Sequence, residues 1–579
     1  MAKFFLGVIA GIFLCVFLVV MVAVAAVALT SRPPLVSEGS TLVLDLSGDI
    51  PERNPVDVSP VLFQRPARPT VKDLHDLLEK AAADRRINAV LVRPSFLGGG
   101  WAKAQELRAN LESFKKSRKP LLAWLQVATM RDYFVASAAD KVYVAPEGIL
   151  DVKGLRAEAM FFKNTLDKIG VQADLEHIGA YKSFSEPFTR NRMSEAYREN
   201  TNAILDAVFE QFLATVAPAR QMTSDQLRAA LDSGPFLPAQ AVEHRLADGL
   251  LYEDQVFDQI QKLTKVKSVK KLKPEDYNRV SLESLGLAGG SRIALVYAVG
   301  DIYRGGDDLD LLGESVITSD SMAKTLRQVA EDKSLQGVIV RIDSPGGDSF
   351  ASDQLWREMN LLGSKKPMVI SMSDLAASGG YYIAMTQAPV LAYPGTFTGS
   401  IGVVYGKLNL KGLYDKIGVT KEILSRGRNA EIDSDYRSFT PAERQKVLES
   451  MQVTYRDFVQ KVADARKKTW KEIDVLAQGR VWMGSQALDN GLVDELGGLD
   501  RAITLVKQRA KLKPEDKVTL VTYPPQKKLL DLVLERMGSV SSADHLLAEI
   551  GHRLGAATPW RSLLRGGMLK IAPYWVTVQ

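Results

Sequence analysis

LQGVIVRIDSPGGD, residues 335–348, is a continuous apolar run that ends in a turn with two glycines. A related stretch, INAVLVRPSFLGGG, occupies residues 87–100, 248 positions earlier. Short apolar runs between amphipathic helices are typical of strands that are buried on both faces of a parallel sheet. The sequence therefore predicts an α/β fold of stacked, right-handed β-α-β units that is present twice.

The duplication extends through most of the chain. The same offset of 248 pairs Tyr133 with Tyr381 and Pro146 with Pro394. A chain of 579 residues is long enough for two or three domains, which agrees with two copies. We predict a first repeat over 40–265, a solvated, lysine-rich linker over 266–290, a second repeat over 291–513 and a tail over 514–579.

The N-terminal segment, residues 1–31, is predicted to be a membrane anchor with a short cytoplasmic end. Phe4 to Leu29 is a run of 26 residues without a charged side chain, which at about 1.5 Å per residue can cross a bilayer. The apolar region of a cleaved signal peptide is usually only about 7–15 residues long, so we expect an uncleaved transmembrane helix. Lys3 precedes the run, which favours a cytoplasmic amino terminus and an extracytoplasmic bulk.

Composition excludes several classes of function. The net charge of +6 arises from 74 basic and 68 acidic residues that are interspersed, so nucleic acid is not an expected partner. Cys15, the single cysteine, lies in the anchor and leaves no disulfide or thiolate site. The five histidines lack the paired spacing of metal ligands. We expect neither a metal nor another cofactor.

Ser400 is a candidate nucleophile. It lies in GTFTGSIG, residues 395–402, where small neighbours leave its hydroxyl approachable. The same pattern also fits an ordinary serine at a helix N-cap. The equivalent position in the first repeat is Val152, so only the second copy has this hydroxyl.

Lys182 is the complementary candidate for a general base. It must be neutral for that role, so burial must move its pKa from about 10.4 to about 7 or 8. Tyr181, Phe184 and Phe188 are neighbours that can exclude water, although a solvent-facing lysine is the alternative. The equivalent residue in the second repeat is Ala430. Each copy thus holds what the other lacks, which predicts one split active site.

The glycine turn of the second repeat can supply an oxyanion hole. Gly346 and Gly347 carry no Cβ, so their N–H groups can point into a cleft. A plain strand-to-helix turn is the alternative, since Pro-Gly turns are common. The first copy keeps glycines at 98–100 but lacks the preceding Asp-Ser-Pro.

Four motifs together resemble the signal peptide peptidase A family in its long, duplicated form. They are DSPGG (343–347), DLAASGGYY (374–382), TGSIGV (398–403) and GLVDE (491–495), within a resemblance that covers about 42–510. The resemblance implies two tandem repeats of a ClpP/crotonase-like fold after one transmembrane helix. It also implies site roles: Ser400 as nucleophile, Lys182 as base, Gly346 as oxyanion donor, Gly347 or Ile401 as weaker donors, and Ser183 or Ser425 as the holder of the amine.

The resemblance further implies a homotetramer on the periplasmic side of a bacterial inner membrane that degrades cleaved signal peptides. We therefore predict a membrane-anchored Ser-Lys endopeptidase for extended, apolar peptides. A crotonase-type acyl-CoA enzyme and a non-catalytic scaffold for membrane assembly are the alternatives.

Overall fold

The computed structural model describes residues 36–54, 68–305, 316–525, 568–572 and 577–578, together with residues 11 and 21. The predicted anchor lies almost wholly outside these residues. Among the described residues, no helix combines the length and the apolar character that crossing a membrane requires.

The first repeat is a parallel sheet with helices packed around it. The strands up to residue 272 are β1 (Ser40–Gly48), β2 (Ile87–Leu97), β3 (Leu121–Thr129), β4 (Lys141–Asp151), β5 (Ala157–Glu158), β6 (Gln172–Ile178), β7 (Gly249–Leu250) and β8 (Lys270–Leu272). The helices up to residue 278 are α1 (Val71–Ala83), α2 (Trp101–Lys115), α3 (Met130–Ala136), α4 (Lys163–Ile169), α5 (Glu186–Thr189), α6 (Glu195–Ala219), α7 (Ser224–Leu231), α8 (Pro238–Glu243), α9 (Glu253–Thr264) and α10 (Pro274–Asn278). The sheet order is β7-β4-β3-β2-β1-β8, and all neighbours are parallel.

The second repeat has the same plan. Its strands and those that follow it are β9 (Ser291–Val299), β10 (Asp301–Tyr303), β11 (Val316–Thr318), β12 (Leu335–Ser344), β13 (Gly346–Asp348), β14 (Met368–Ala377), β15 (Val390–Ala392), β16 (Phe397–Gly399), β17 (Val403–Asn409), β18 (Val481–Met483), β19 (Glu495–Leu496), β20 (Val518–Tyr523), β21 (Leu569–Ile571) and β22 (Thr577–Val578). The helices are α11 (Ser319–Glu331), α12 (Ser349–Lys365), α13 (Gly379–Ala384), α14 (Lys411–Ile417), α15 (Pro441–Arg466), α16 (Trp470–Leu476), α17 (Gly484–Asp489) and α18 (Leu499–Arg509). The main sheet runs β18-β16-β14-β12-β9-β20, parallel except for the β16/β18 pair.

The apolar runs quoted above form the centre of each sheet. Val90 and Val92 on β2 and Val338 and Val340 on β12 are buried in separate hydrophobic cores. The predicted duplicated α/β architecture is confirmed.

The segment 266–290 packs against the first repeat rather than lying in solvent as predicted. β8 extends the first sheet beside β1. Tyr277 is fully buried, and its hydroxyl donates to Asp84 at 3.1 Å. The lysines of this segment lie near its start, whereas its buried apolar side chains, Leu272, Tyr277 and Val280, provide the packing. The second sheet likewise continues past residue 513, because β20 pairs with β9.

A third sheet joins the two repeats. Its order is β11-β10-β13-β21-β17-β6, and only β6 comes from the first repeat. β6 and β17 pair antiparallel along their whole length, from Gln172 opposite Asn409 to Ile178 opposite Val403. The repeats therefore share backbone hydrogen bonds as well as side-chain contacts.

A buried ion cluster also crosses between the repeats. Arg341 on β12 donates through Nε to Glu52 at 3.0 Å and contacts Glu106 through Nη2. All three side chains are at most 3% exposed. Burial would raise the pKa of Glu52, but the guanidinium of Arg341 holds it below its ordinary value. Buried charges are costly unless they are paired. The first repeat supplies the two carboxylates and the second supplies the guanidinium, so each repeat pairs the charge that the other buries.

Replacing Arg341 by methionine is expected to lower the free energy of unfolding by about 3–5 kcal/mol, because two carboxylates would stay buried without their cation. The duplication supplies a matched control. Arg93 occupies the equivalent position in the first repeat and pairs with Asp45, which is 65% exposed, and with Glu253, which is 35% exposed. Because water reaches both carboxylates, Arg93→Met should cost only about 0–1 kcal/mol. Urea unfolding followed by tryptophan fluorescence measures the free energy of unfolding of both variants. Equal losses of this free energy would contradict the difference expected between the buried and the exposed ion pairs.

Candidate active site

Ser400 lies in a strained turn between β16 and β17. Its φ is +51°, a left-handed conformation that is uncommon for residues other than glycine. Its backbone N–H donates to the carbonyl of Arg480 at 2.8 Å, and the residue is fully buried. A strand follows rather than a helix, so Ser400 is not an N-cap. The turn instead presents the hydroxyl to the loop of the first repeat that follows β6.

Lys182 lies on that loop, just before a 3₁₀ turn over Ser183–Ser185. Its Nζ is 3.0 Å from Ser400 Oγ, and it donates to Ser400 O and to Ser378 Oγ, both at 2.8 Å. The structure thus brings together the serine and the lysine that the sequence singled out on opposite repeats.

Backbone packing fixes the position of the lysine loop. The N–H of Tyr181 donates to the carbonyl of Gln478 at 2.8 Å. Gly479 has a φ of +74°, and a Cβ there would lie 2.5 Å from Cβ of Lys182. A Cβ on Gly402 would lie 3.1 Å from Lys182 Cδ. The long side chain therefore runs between glycines toward the serine.

The surroundings of Lys182 favour the neutral amine. Burial lowers the pKa of Lys182 well below its ordinary value of 10.5, and the nearby charge of Lys570 lowers it further. A neutral amine has two N–H donors and one lone pair. The oxygen atoms Ser378 Oγ and Ser400 O accept the two donors, which leaves the lone pair for the proton of Ser400 Oγ. This is the arrangement that a general base requires.

The predicted oxyanion turn lies on β13 in the shared sheet. Gly346 has a φ of +100°, and a Cβ there would lie 2.5 Å from the backbone nitrogen of Gly379. Gly347 has a φ of +154°, and its Cβ would lie 2.1 Å from the carbonyl oxygen of Ile302. Both positions therefore demand glycine. Ile401, the weaker candidate, is fully buried directly after Ser400. The oxyanion role of these N–H groups stays a prediction.

Ser378 is a candidate positioning residue that the sequence did not predict, since its hydroxyl accepts from Lys182 Nζ at 2.8 Å. The family resemblance implies Ser183 or Ser425 as the residue that holds the amine, but Ser425 donates instead to Glu431 at 2.8 Å. Ser183 is buried beside Lys182, yet the hydroxyl that accepts from Nζ belongs to Ser378. A signal was available, since Ser378 faces Met130 in the first repeat and is thus also present in one copy only.

The equivalent turn of the first repeat, at residues 98–100, contacts the second repeat instead. Asp374 of the second repeat accepts from the backbone N–H groups of Gly100 at 2.7 Å and Lys103 at 2.9 Å, at the start of α2. A carboxylate is favoured there because the N-terminus of a helix carries partial positive charge. The first repeat has Val152 at the position where the second repeat has Ser400.

Comparison with known proteins places both repeats in one protein family. Residues 113–267 and 360–513 both match the model of peptidase family S49. "Serine protease SPPA, chloroplastic" from Arabidopsis thaliana is 34% identical over 509 residues, which cover 87% of this chain and 74% of that protein. "Protease 4" from Salmonella typhi is 32% identical and covers 81% of this chain and 76% of that protein. "Putative signal peptide peptidase SppA" from Enterococcus faecium is 30% identical, over 41% of this chain and 69% of that protein.

Ser378→Ala tests whether this hydroxyl positions the amine. Loss of the acceptor disfavours the protonated amine, so the pKa of Lys182 should fall further. The rate at which a fluorophosphonate labels Ser400 is measured as a function of pH. In the variant, the plateau of this rate should be lower by about tenfold or more, and the midpoint of its rise should lie at a lower pH than in the parent.

Ser183→Ala and Ser425→Ala are the matched controls, and both should leave the midpoint unchanged. A shift with either control but none with Ser378→Ala would overturn the assignment.

Proposed function

The chain belongs to peptidase family S49 and is a serine protease, and we propose that it is a membrane-anchored endopeptidase that degrades cleaved signal peptides and other extended, apolar peptides. The observation that carries this proposal is the buried contact of 3.0 Å between Lys182 Nζ and Ser400 Oγ. Because the two residues come from different repeats, the duplicated chain forms one active site.

In this mechanism Ser400 Oγ attacks the scissile carbonyl while neutral Lys182 takes the hydroxyl proton. The lysine then gives that proton to the leaving amine, and water activated by the same amine releases the acyl group. The N–H of Gly346 stabilises the oxyanion that forms during each attack. No step needs a metal or an organic cofactor.

An apolar cluster beside the dyad supports the choice of substrate. Phe184 and Phe188 follow Lys182 in the sequence and pack with Val404 of β17, and all three are buried. Side chains of an extended peptide that runs past Ser400 would enter this cluster. Burying one such apolar side chain contributes about 1.5–3 kcal/mol, which favours apolar segments over polar ones.

The cellular setting belongs to the proposal as well. The uncharged run from Phe4 to Leu29 supports a single transmembrane helix. The catalytic part then lies on the periplasmic side of a bacterial inner membrane, in a homotetramer of ClpP/crotonase-like repeats. Membership of a peptidase family favours this activity over an acyl-CoA enzyme or a non-catalytic scaffold.

Ser400→Ala and Lys182→Met should each reduce kcat for a synthetic signal peptide by at least about 10³-fold, because each removes one member of a unit that acts together. Methionine keeps most of the lysine volume. Lys262→Met, at an exposed position on α9, is the matched control and should retain activity. Chromatographic assay of the full chain in detergent measures cleavage, and undiminished turnover in either dyad variant would refute the mechanism.

The pH profile of kcat/KM should show a rising limb that reports Lys182. The base acts only when deprotonated, so activity rises with pH through its pKa and then levels off. Since burial lowers that pKa, the limb should lie well below the ordinary lysine value of 10.5. Initial rates across a series of buffers give the limb, and a limb at the ordinary value would contradict the neutral base.

A further inference from the structure

A lysine of the first repeat, Lys103 on α2, lies between two strands of the second repeat. Its Nζ is 2.7 Å from Asp343 Oδ2 on β12 and 3.6 Å from Asp374 Oδ2 on β14. All three side chains are at most 13% exposed. Burial alone would lower the pKa of Lys103, but the two carboxylates raise it above its ordinary value, so the amine stays charged.

The two carboxylates lie just before the two turns of the second repeat that serve the site. Asp343 precedes Gly346 of the predicted oxyanion turn by three residues, and Asp374 precedes Ser378 by four. The side chain of Asp343 also accepts from the N–H of Leu375 at 3.1 Å. The ends of β12 and β14 are therefore tied to each other and to Lys103 immediately before both turns.

The pairing of β12 with β14 changes register at this point. Ile342 lies opposite Met372, whereas Ser344 lies opposite Ala376. A single residue of β12 is therefore opposed by three residues of β14. Such bulges bend a strand and re-aim the residues beside it. Because Lys103 contacts both strands within the bulge, its charge holds the two backbones that continue into the turns.

The pattern of loss between the copies matches that of the dyad. At the offset of 248, Lys103 corresponds to Ala351 and Asp343 corresponds to Ser95. The first copy thus has the cation without the anion, and the second copy has the anion without the cation. This ion pair exists once, beside the turn of the repeat that carries Ser400.

We propose that Lys103 is a positioning residue for acyl transfer, which acts through Asp343 to hold the N–H of Gly346 where the oxyanion forms. The inference rests on the proposed function, since it deepens the oxyanion role of that turn. A misplacement of about 1 Å can cost about 10²-fold in rate. A bound peptide does not yet carry the negative charge that this donor stabilises, so the chemical step depends on Lys103 more than substrate binding does.

The test removes each partner of the ion pair in the full chain. Lys103→Met removes the cation, and Asp343→Asn removes the anion but keeps an oxygen for the N–H of Leu375. Each should lower kcat for a synthetic signal peptide by at least about tenfold and leave KM within about twofold. The rate at which a fluorophosphonate labels Ser400 should fall by a similar factor, because that reaction also places negative charge on an oxygen.

The combined variant shows whether the two residues act through one contact. If they do, its kcat should lie within about threefold of that of the weaker single variant, since the second change removes nothing further.

Lys80→Met is the matched control. Lys80 is likewise a buried lysine of the first repeat, but it lies on α1, and its Nζ donates to the carbonyl of Val280 at 2.9 Å. Its replacement should lower the unfolding temperature and leave kcat and the labelling rate within about twofold.

Undiminished kcat and labelling in a folded Lys103→Met or Asp343→Asn variant would overturn the proposal. So would a loss confined to KM, losses that multiply in the combined variant, or an equal loss of kcat in Lys80→Met. Unfolding temperatures establish which variants are folded, and either single variant is sufficient. If the parent did not hydrolyse the signal peptide, the proposed substrate would fail, while the labelling rates would still decide the role of Lys103.

Discussion

The pairing of β6 with β17 is the constraint on which the rest of the site depends. One strand leads to Lys182 and the other follows Ser400, so their antiparallel register determines how far the amine lies from the hydroxyl. A slip of one residue would turn the alternating side chains of the strand to the opposite faces. The buried cluster of Arg341, Glu52 and Glu106 reinforces this arrangement by making separation of the repeats costly.

Burial favours the neutral amine of Lys182, which its proposed role as a base requires. Charged lysine is stable where water or a carboxylate solvates it, whereas the hydrogen-bond partners of Lys182 here are hydroxyl and carbonyl oxygens. Glycines at 402 and 479 let the side chain pass close to the backbone of the other repeat. The chemistry of the site is thus a consequence of how tightly the two copies pack, since loosening either loop would readmit water and restore the charge.

The sequence predicted the duplicated α/β architecture. It also singled out the lysine and the serine that the structure brings into contact, because each of them is present in one copy and absent from the other. It did not predict Ser378, since a serine next to two glycines is equally typical of a turn, and spacing does not reveal which hydroxyl reaches an amine on another repeat. The prediction of a solvated linker over 266–290 was wrong, because in this segment the lysines outnumber the few apolar residues that are buried. The pairing of β21 was not predictable either, because strand addition depends on backbone groups that every residue except proline provides.

The carboxylate of Asp374 caps a helix that belongs to the other repeat. In the second repeat, Asp348 accepts from the N–H of Ala351 at the start of α12. The equivalent positions in the first repeat are Gly100 and Lys103, and Asp374 accepts from the N–H groups of both. The first repeat thus takes the capping carboxylate of α2 from its neighbour, so separating the repeats would leave the positive end of this helix uncapped.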